Sequence, residues 1–321
     1  MPALTTHKIF AEQVKEELQL NNIDEPTYYV FSQSHDLLYY YKSKNYKFFN
    51  KQGTKGHHKN TQDFIINIIE CIKGNSLTND KQCMAYLYGT LTHYYLDSTA
   101  HPYIFYKSGV YKKYNKDTHK YRGQHNLLER SLDAILYERT YNKKYKYCKT
   151  HKEIIPKIEF NNKLKTLINL AYNKTYETKN MIDPIIKGYN TMRLFHKFIV
   201  NDSLSFKYYT YKLLDFITNN KTKCLRSYST SVKYNIDILN LNKKTWNHPT
   251  DKMIKYNDSF IDLMDKAKKD CIKAIKEINE YIYNDKKVDL KNLIKDIDYS
   301  TGLLIKDNKE IRHFEYWNVF F

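Results

Sequence analysis

Apolar positions along this chain recur at three and four residues far more often than at two, so the pattern predicts helices. Ile9, Phe10, Val14, Leu18 and Leu20 outline a first helix, with Thr5 or Thr6 as its cap. Asn22 to Tyr29 reads as a turn around Pro26, and Asp36 to Lys42 as a short helix. After the breaks at Gly53 and Gly56, Thr61 to Ile72 is again apolar at helical spacing and closes at Gly74. Asn79 or Asp80 caps a helix expected to run to His101 and stop at Pro102, and another is expected from Tyr121 to Tyr141. Beyond Pro156 the pattern predicts helices over Phe160–Asn173, Thr178–Val200, Asp202–Thr218 and Asp258–Tyr283, with a short one over Leu290–Ile297. Ser227–Thr250 has no strong period and reads as an ordered loop. Strand alternation is not sustained anywhere, and neither an internal repeat nor a long linker interrupts the chain. The expected architecture is all-α, one multi-helix domain in which residues 1–155 form a helical core and 156–321 a C-terminal helical half packed on it.

Composition sharpens this picture. Only 8 Gly and 6 Pro occur in 321 residues, which argues against a many-turned sandwich or a glycine-rich phosphate loop. Lys and Arg number 53 against 35 Asp and Glu, a net charge of +18. Such a charge suits a polyanionic partner: nucleic acid, an anionic membrane surface or a phosphorylated substrate. AT-rich codon usage, which enriches Lys, Asn, Ile and Tyr together, is the simpler explanation, because the basic residues are spread along the chain. The densest run is Lys107 to Arg122, where Lys107, Lys112, Lys113, Lys116, Lys120 and Arg122 face only Asp117. The five cysteines, Cys71, Cys83, Cys148, Cys224 and Cys271, are scattered and form no CxxC, which excludes a disulfide scaffold and a thiolate zinc site. A reducing compartment is expected. A cytoplasmic location is the expectation, since no long apolar run occurs and Met1-Pro2-Ala3-Leu4-Thr5-Thr6-His7 does not read as a basic, apolar leader.

The chemistry lies in the histidines and carboxylates of the first 130 residues. Ala85, Gly89, His93, Asp97 and His101 recur every four residues. Four residues turn a helix by about 400°, so the stripe drifts only about 40° per step and His93, Asp97 and His101 share a face. Gly89 and Ala85 leave room below them for a close neighbour. In the next helix His125 and Glu129 repeat the spacing, with Asp133 one turn further. Two ligands at i and i+4 can reach one ion, and nitrogen with carboxylate oxygen suits zinc. A single His-x3-acid pair arises by chance about once in such a sequence, whereas the three-residue stripe arises in on the order of one in twenty. Tyr94, Tyr95, Leu96, Tyr103 and Ile104 around the stripe point to a buried helix, and buried His and Asp need partners or a metal.

The segment Gly89-Thr90-Leu91-Thr92-His93-Tyr94-Tyr95-Leu96-Asp97, followed by His101-Pro102 and His125-x3-Glu129, resembles the zinc-dependent phospholipase C family. So do the opening Met1 to His7, His35-Asp36-Leu37-Leu38-Tyr39-Tyr40 and His57-x6-Phe64. Trp246-Asn247-His248-Pro249 with Ser259-Phe260 is similar to a cytosolic branch of it. The resemblance implies an all-α fold shared with P1-type nucleases and up to three zinc ions in one cleft. By motif, one zinc would be held by Asp36, His57, His93 and Asp97, a second by His101, His125 and Glu129, and a third by His7 with Asp97 bridging. Metals so placed would clamp a phosphodiester and lower the pKa of a bound water to about 7. Asp36 and Asp97 are the catalytic candidates, Asp36 as general base as well as ligand.

Three departures from the family pattern matter. Secreted members begin with a Trp that binds the third zinc, and this chain has none there, so two zinc ions are expected and a weak or absent third. Well-studied members place the next His six residues after the bridging Asp, where Tyr103 stands here, while His101 comes after four. His58 is an adjacent alternative to His57. His35 and His119 have no family role, and His151, His196, His248 and His313 read as ordinary structural or solvated residues. The implied activity is a zinc-dependent phosphodiesterase of the phospholipase C type. Its expected substrate is a phospholipid or related phosphodiester, with peripheral contact to an anionic membrane. A P1-type single-strand nuclease, with nucleic acid as partner, and a non-catalytic zinc-binding helical protein are the alternatives.

Overall fold

A computed structural model describes residues 4–218, 225–233 and 237–315; Cys224 and the first three residues of the N-terminal motif lie outside them. Helices α1 (Leu4–Leu18), α2 (Glu25–Phe31), α3 (Tyr46–His58), α4 (Thr61–Gly74), α5 (Lys81–Ser108) and α6 (Gln124–Tyr141) build the first part. The short α7 (Thr150–Glu153) precedes α8 (Asn162–Tyr176), α9 (Ile182–Phe195) and α10 (Phe206–Ile217), and then come α11 (Phe260–Tyr283) and the short α12 (Leu290–Leu293). The chain is all-α apart from one hairpin among the described residues.

Helix α5 is the axis. Its side chains are buried on almost every face, as a helix in the interior must be. Helices α11, α2, α1, α6 and α4 pack around it. Gly89 lets α2 approach: a Cβ there would lie 2.7 Å from the Tyr28 carbonyl oxygen. Asp80 is the cap, its carboxylate accepting from the backbone N–H groups of Gln82 and Cys83 at 3.1 and 2.9 Å. Contrary to expectation, the helix does not stop at Pro102 but runs on to Ser108 and ends at Gly109 with φ 65°. Pro102 withholds an N–H from the Ser98 carbonyl and crowds it. That oxygen lies against Gly302, where a Cβ would come within 2.5 Å. Burial of Tyr103 and Ile104 holds the last turns in place.

Helix α1 departs from expectation at its start. Thr5 and Thr6 are buried inside it rather than capping it. Asp133 of α6 closes the first turn instead, its Oδ1 accepting from the Thr6 N–H at 2.8 Å and the Thr6 hydroxyl at 3.0 Å. Arg130 donates to the other oxygen at 3.3 Å. The short helix expected from Asp36 is a tighter 3-10 segment, Ser34–Tyr40. The helix expected over Thr178–Val200 starts only at Ile182, after left-handed Glu177 and Asn180 (φ 55° and 54°), and widens into a π turn over His196–Val200. The predicted loop Ser227–Thr250 contains β1 (Trp246–His248), antiparallel to β2 (Asp251–Tyr256). Strands of three and six residues are too short for alternation to show. Their pairing sets Trp246 opposite Tyr256, with the rings stacked at 4.5 Å.

Described residues beyond Pro156, as far as Tyr299, add to the same hydrophobic core as the first half. Helix α8 packs on α4, α9 on the 3-10 segment, and α11 on α5 and α1. Gly188 of α9 sits so close to the 3-10 segment that a Cβ would lie 2.2 Å from the Leu37 oxygen. Among the described residues no helix is long and apolar enough to cross a membrane.

Candidate metal centre

His93, Asp97 and His101 line one face of α5, as their spacing dictates. The fold brings to that face His7 from α1, Asp36 from the 3-10 segment, His57 from α3, and His125 and Glu129 from α6. Seven of these eight residues are buried, and His125 is partly exposed.

The first group gathers Asp36, His57 and His93. His57 Nε2 lies 3.2 Å from Asp36 Oδ1, and His93 Nε2 lies 3.4 Å from Asp97 Oδ2. The two Nε2 atoms are 3.3 Å apart. His57 Nδ1 donates to the Gly53 carbonyl at 2.7 Å and His93 Nδ1 to that of Ser32 at 3.2 Å. A carbonyl only accepts, so both Nδ1 atoms carry hydrogen, and each ring when neutral turns an Nε2 lone pair toward the other. With both rings neutral the facing lone pairs and the flanking carboxylates are all acceptors, and a proton on His57 Nε2, held by Asp36 Oδ1 at 3.2 Å against the cost of burial, occupies the place a cation would take. Asp36 Oδ2 and Asp97 Oδ2 are buried without a hydrogen-bond partner. A divalent cation bound through nitrogen and oxygen answers this chemistry, and the second bond of each ring fixes its orientation.

The second group is His101, His125 and Glu129. Glu129 Oε1 stands 3.0 Å from His125 Nε2 and 3.5 Å from His101 Nε2, and both its oxygens are buried without a hydrogen-bond partner. The imidazoles of His101 and His125 stack at 5.9 Å. A third group is His7, His93 and Asp97, with His7 Nε2 at 3.0 Å from Asp97 Oδ1. Asp97 thus touches every group: Oδ1 faces His7, while Oδ2 faces His93, His101 Nδ1 at 3.6 Å and His57 at 3.8 Å.

Burial raises the Asp97 carboxyl, but His101, His93 and His7 outweigh it and hold it well below the usual range. Asp36 is likewise lowered, burial being overcome by the hydrogen bond and charge of His57. Burial lowers His101, yet Asp97 and Glu129 pull it up to about 9. His93 is pushed down to about 4 by burial, against the pull of Asp97. The carboxylates concentrate negative charge where the imidazoles converge, which favours any cation placed there, proton or metal.

Other predicted or adjacent residues lie elsewhere. His58 turns to Asp298, with Nδ1 to Oδ2 at 2.7 Å, so His57 is the one that faces the cluster. Tyr103 donates to the Ile238 carbonyl at 2.9 Å, away from the cluster, and the shorter spacing puts His101 there instead. Asp133 caps α1. His35 is a core residue whose ring lies on Gly56, where a Cβ would meet it at 2.3 Å, and its Nδ1 pairs with the Tyr172 hydroxyl at 2.8 Å. His248 is buried between the Thr250 hydroxyl and the Thr301 carbonyl, both at 2.9 Å. The orienting carbonyls of Ser32 and Gly53 leave no mark in a sequence, since every residue has one. Tyr299, whose ring packs edge-on to His57 at 5.3 Å and whose N–H donates to the His57 carbonyl at 3.0 Å, is one of 32 tyrosines. A cleft of about 880 Å³ lies on another face of α5, lined by Tyr94, Tyr95, Ser98, Trp246 and Tyr256, and none of the eight clustered residues lines it.

The chain matches the zinc dependent phospholipase C family over residues 6–182, more than half its length. It belongs to that family. No curated protein and no solved structure matches it. The span shared with the zinc-dependent phospholipase C family holds all eight clustered residues and ends as α9 begins. Membership makes the chain one of a zinc-dependent family whose general activity is hydrolysis of a phospholipid-type substrate, and each of the three groups could hold a metal ion.

Proposed function

We propose that the chain is a zinc-dependent phosphodiester hydrolase of the phospholipase C type. It would cleave a phospholipid or a related phosphodiester between the alcohol and the phosphate. The observation that carries this reading is the pair of imidazole nitrogens facing each other at 3.3 Å between two carboxylates. Asp36, His57, His93 and Asp97 would hold one zinc ion, and His101, His125 and Glu129 a second. His7 with Asp97 is the place for a weaker third. Zinc bound there supplies Lewis acidity, neutralising phosphate charge and acidifying water.

The chain's own residues have separable tasks. Asp97 joins the groups, so it sets their spacing. The carbonyls of Gly53 and Ser32 hold the rings of His57 and His93 with Nε2 inward. Asp36 Oδ2, buried and without a partner, is the oxygen available to take a proton from the attacking water. His125, with 24% of its side chain exposed against 9% for His57 and His101, marks the side open to solvent.

Elemental analysis of protein purified without chelator should give two zinc ions per chain. Chelator-sensitive hydrolysis should be seen with p-nitrophenylphosphorylcholine, slowly, and with phospholipid vesicles, faster. Absence of zinc above background after growth in zinc-supplemented medium overturns the reading. Efficient chelator-sensitive cutting of single-stranded DNA with no action on phospholipid overturns the choice of substrate in favour of a nuclease.

A further inference from the structure

Helix α10 is built inside out. Phe206, Tyr209, Leu213, Phe216 and Ile217 follow steps of three, four, three and one, so they share a face. That face points to solvent, with these side chains between 54% and 80% exposed. The buried side carries Asp215, whose carboxylate stands 3.8 Å from Arg226 Nε. A soluble helix does the reverse, with apolar residues inward and charges outward. Leu194, Phe198 and Leu204 in the preceding segment are exposed as well, Leu204 at 88%. Large apolar side chains gathered on one exposed helix face mark an interaction surface.

Charge selects the partner. From Leu194 to Ile217 the only acids are Asp202 and Asp215, and both are buried. Lysines rim the apolar face. Lys233 Nζ donates to the Tyr209 hydroxyl at 2.9 Å, and Lys212 and Lys146 lie near enough to act on that hydroxyl. Lys197 Nζ sits 4.9 Å over the Phe198 ring. Self-association through this face would set lysines against lysines in a chain of net charge +18. An anionic bilayer meets both features, with apolar side chains at the boundary of headgroups and acyl chains and lysines among the lipid phosphates.

We propose that the face formed by α10 and its flanks docks the protein on an anionic phospholipid surface. Neither the family match, which ends at residue 182, nor the metal cluster assigns this segment a role. The choice of lipid over another anionic partner rests on the phospholipid reading given above.

The test is flotation of the full chain with vesicles of phosphatidylcholine alone or mixed with phosphatidylglycerol, at 4 °C. Hydrolysis of p-nitrophenylphosphorylcholine in solution is measured in parallel, and so is mass by analytical ultracentrifugation. Wild type should float with the mixed vesicles. Leu213→Asp with Phe216→Asp, both at exposed positions, should lower the partition coefficient at least tenfold and leave soluble hydrolysis and zinc content unchanged. Lys212→Glu with Lys233→Glu should abolish the preference for phosphatidylglycerol. Three outcomes overturn the proposal: no flotation of wild type, flotation of the aspartate variant equal to wild type, or a wild-type dimer that this variant splits while vesicles remain unbound. Flotation that responds to the variants, in a protein that hydrolyses no phosphodiester, would leave the docking face standing and remove the hydrolase reading instead.

Discussion

Replacing Asp97 by Asn tests the centre at its most connected point. The change keeps the shape and removes one negative charge, and it turns one carboxylate oxygen into an amide that donates hydrogen. Four imidazoles face Asp97 at 3.0 to 3.8 Å, so the lost charge is felt wherever a cation is shared among them. Two unit charges 4 Å apart at an effective dielectric of 20 interact by about 4 kcal/mol. The amide oxygen recovers part of that, which leaves a loss of about 3 kcal/mol, or roughly a hundredfold in zinc affinity. Removal of a shared negative charge also leaves neighbouring cations repelling each other, so occupancy should fall in both groups. The assay is competitive titration with a chromogenic zinc chelator, read beside elemental analysis and hydrolysis of p-nitrophenylphosphorylcholine. His248→Asn, at a side chain that bonds Thr250 and Thr301, is the control and should keep its zinc. Full zinc content with a dissociation constant within threefold of wild type would refute the bridging role of Asp97.

Other expectations follow from the same packing. Zinc at a thousandfold excess over its dissociation constant should add about 4 kcal/mol to stability, seen as a higher melting temperature that chelator reverses; an unchanged melting curve argues against any built metal site. Gly302→Ala should cost about 1–3 kcal/mol in urea denaturation without loss of zinc, because φ is 67° and the new Cβ meets the Ser98 oxygen at 2.5 Å; a neutral result would show that the oxygen moves aside freely. His196 is fully buried beside Tyr40 and Thr150, and burial first, then the charges of Arg130 and His151, keep its pKa well below the ordinary value. The unfolded chain therefore takes up the proton first, so its contribution is complete above a pH of about 6.5 and falls by about 1.4 kcal/mol per pH unit below that. His196→Gln should flatten the acid limb of stability against pH by that slope; an identical acid limb would mean that His196 is protonated in the folded state.

Legibility in the sequence tracks how local the cause is. The i, i+4 stripe on α5 can be read because helix geometry alone puts His93, Asp97 and His101 on one face. Convergence of His7, Asp36, His57, His125 and Glu129 upon it has no local cause, and only the family resemblance links them. The end of α5 is misplaced when Pro102 is weighed as a local breaker, because burial of Tyr103 and Ile104 and the space at Gly302 outweigh it. Thr5 and Thr6 have the composition of a cap, but the cap comes from Asp133, 127 residues away. In both places a tertiary contact overrides a local preference. The inverted face of α10 is invisible to periodicity for another reason. The spacing of apolar residues shows that a helix has two faces, not which one the rest of the chain covers.

The position of Asp97 also explains why the centre depends on so much of the fold. The three groups it touches hang on α1, α3, α5, α6 and the 3-10 segment, and these elements are fixed by contacts made elsewhere. Helix α1 is closed by Asp133, and the 3-10 segment is pressed against α9 through Gly188. Helix α3 is set by the His35 ring on Gly56, and α5 by Gly89 against α2. These close approaches leave no slack at the backbone, which is how buried acceptors are kept within 4 Å of one another without collapsing onto solvent or onto new donors. The histidines and carboxylates supply the chemistry, but the glycines supply the distances. A substitution at Gly56 or Gly188, with no donor atom of its own, should therefore weaken metal binding through spacing alone, whereas one at His58, which turns to Asp298, or at Tyr103, which bonds the Ile238 carbonyl, should leave that spacing intact.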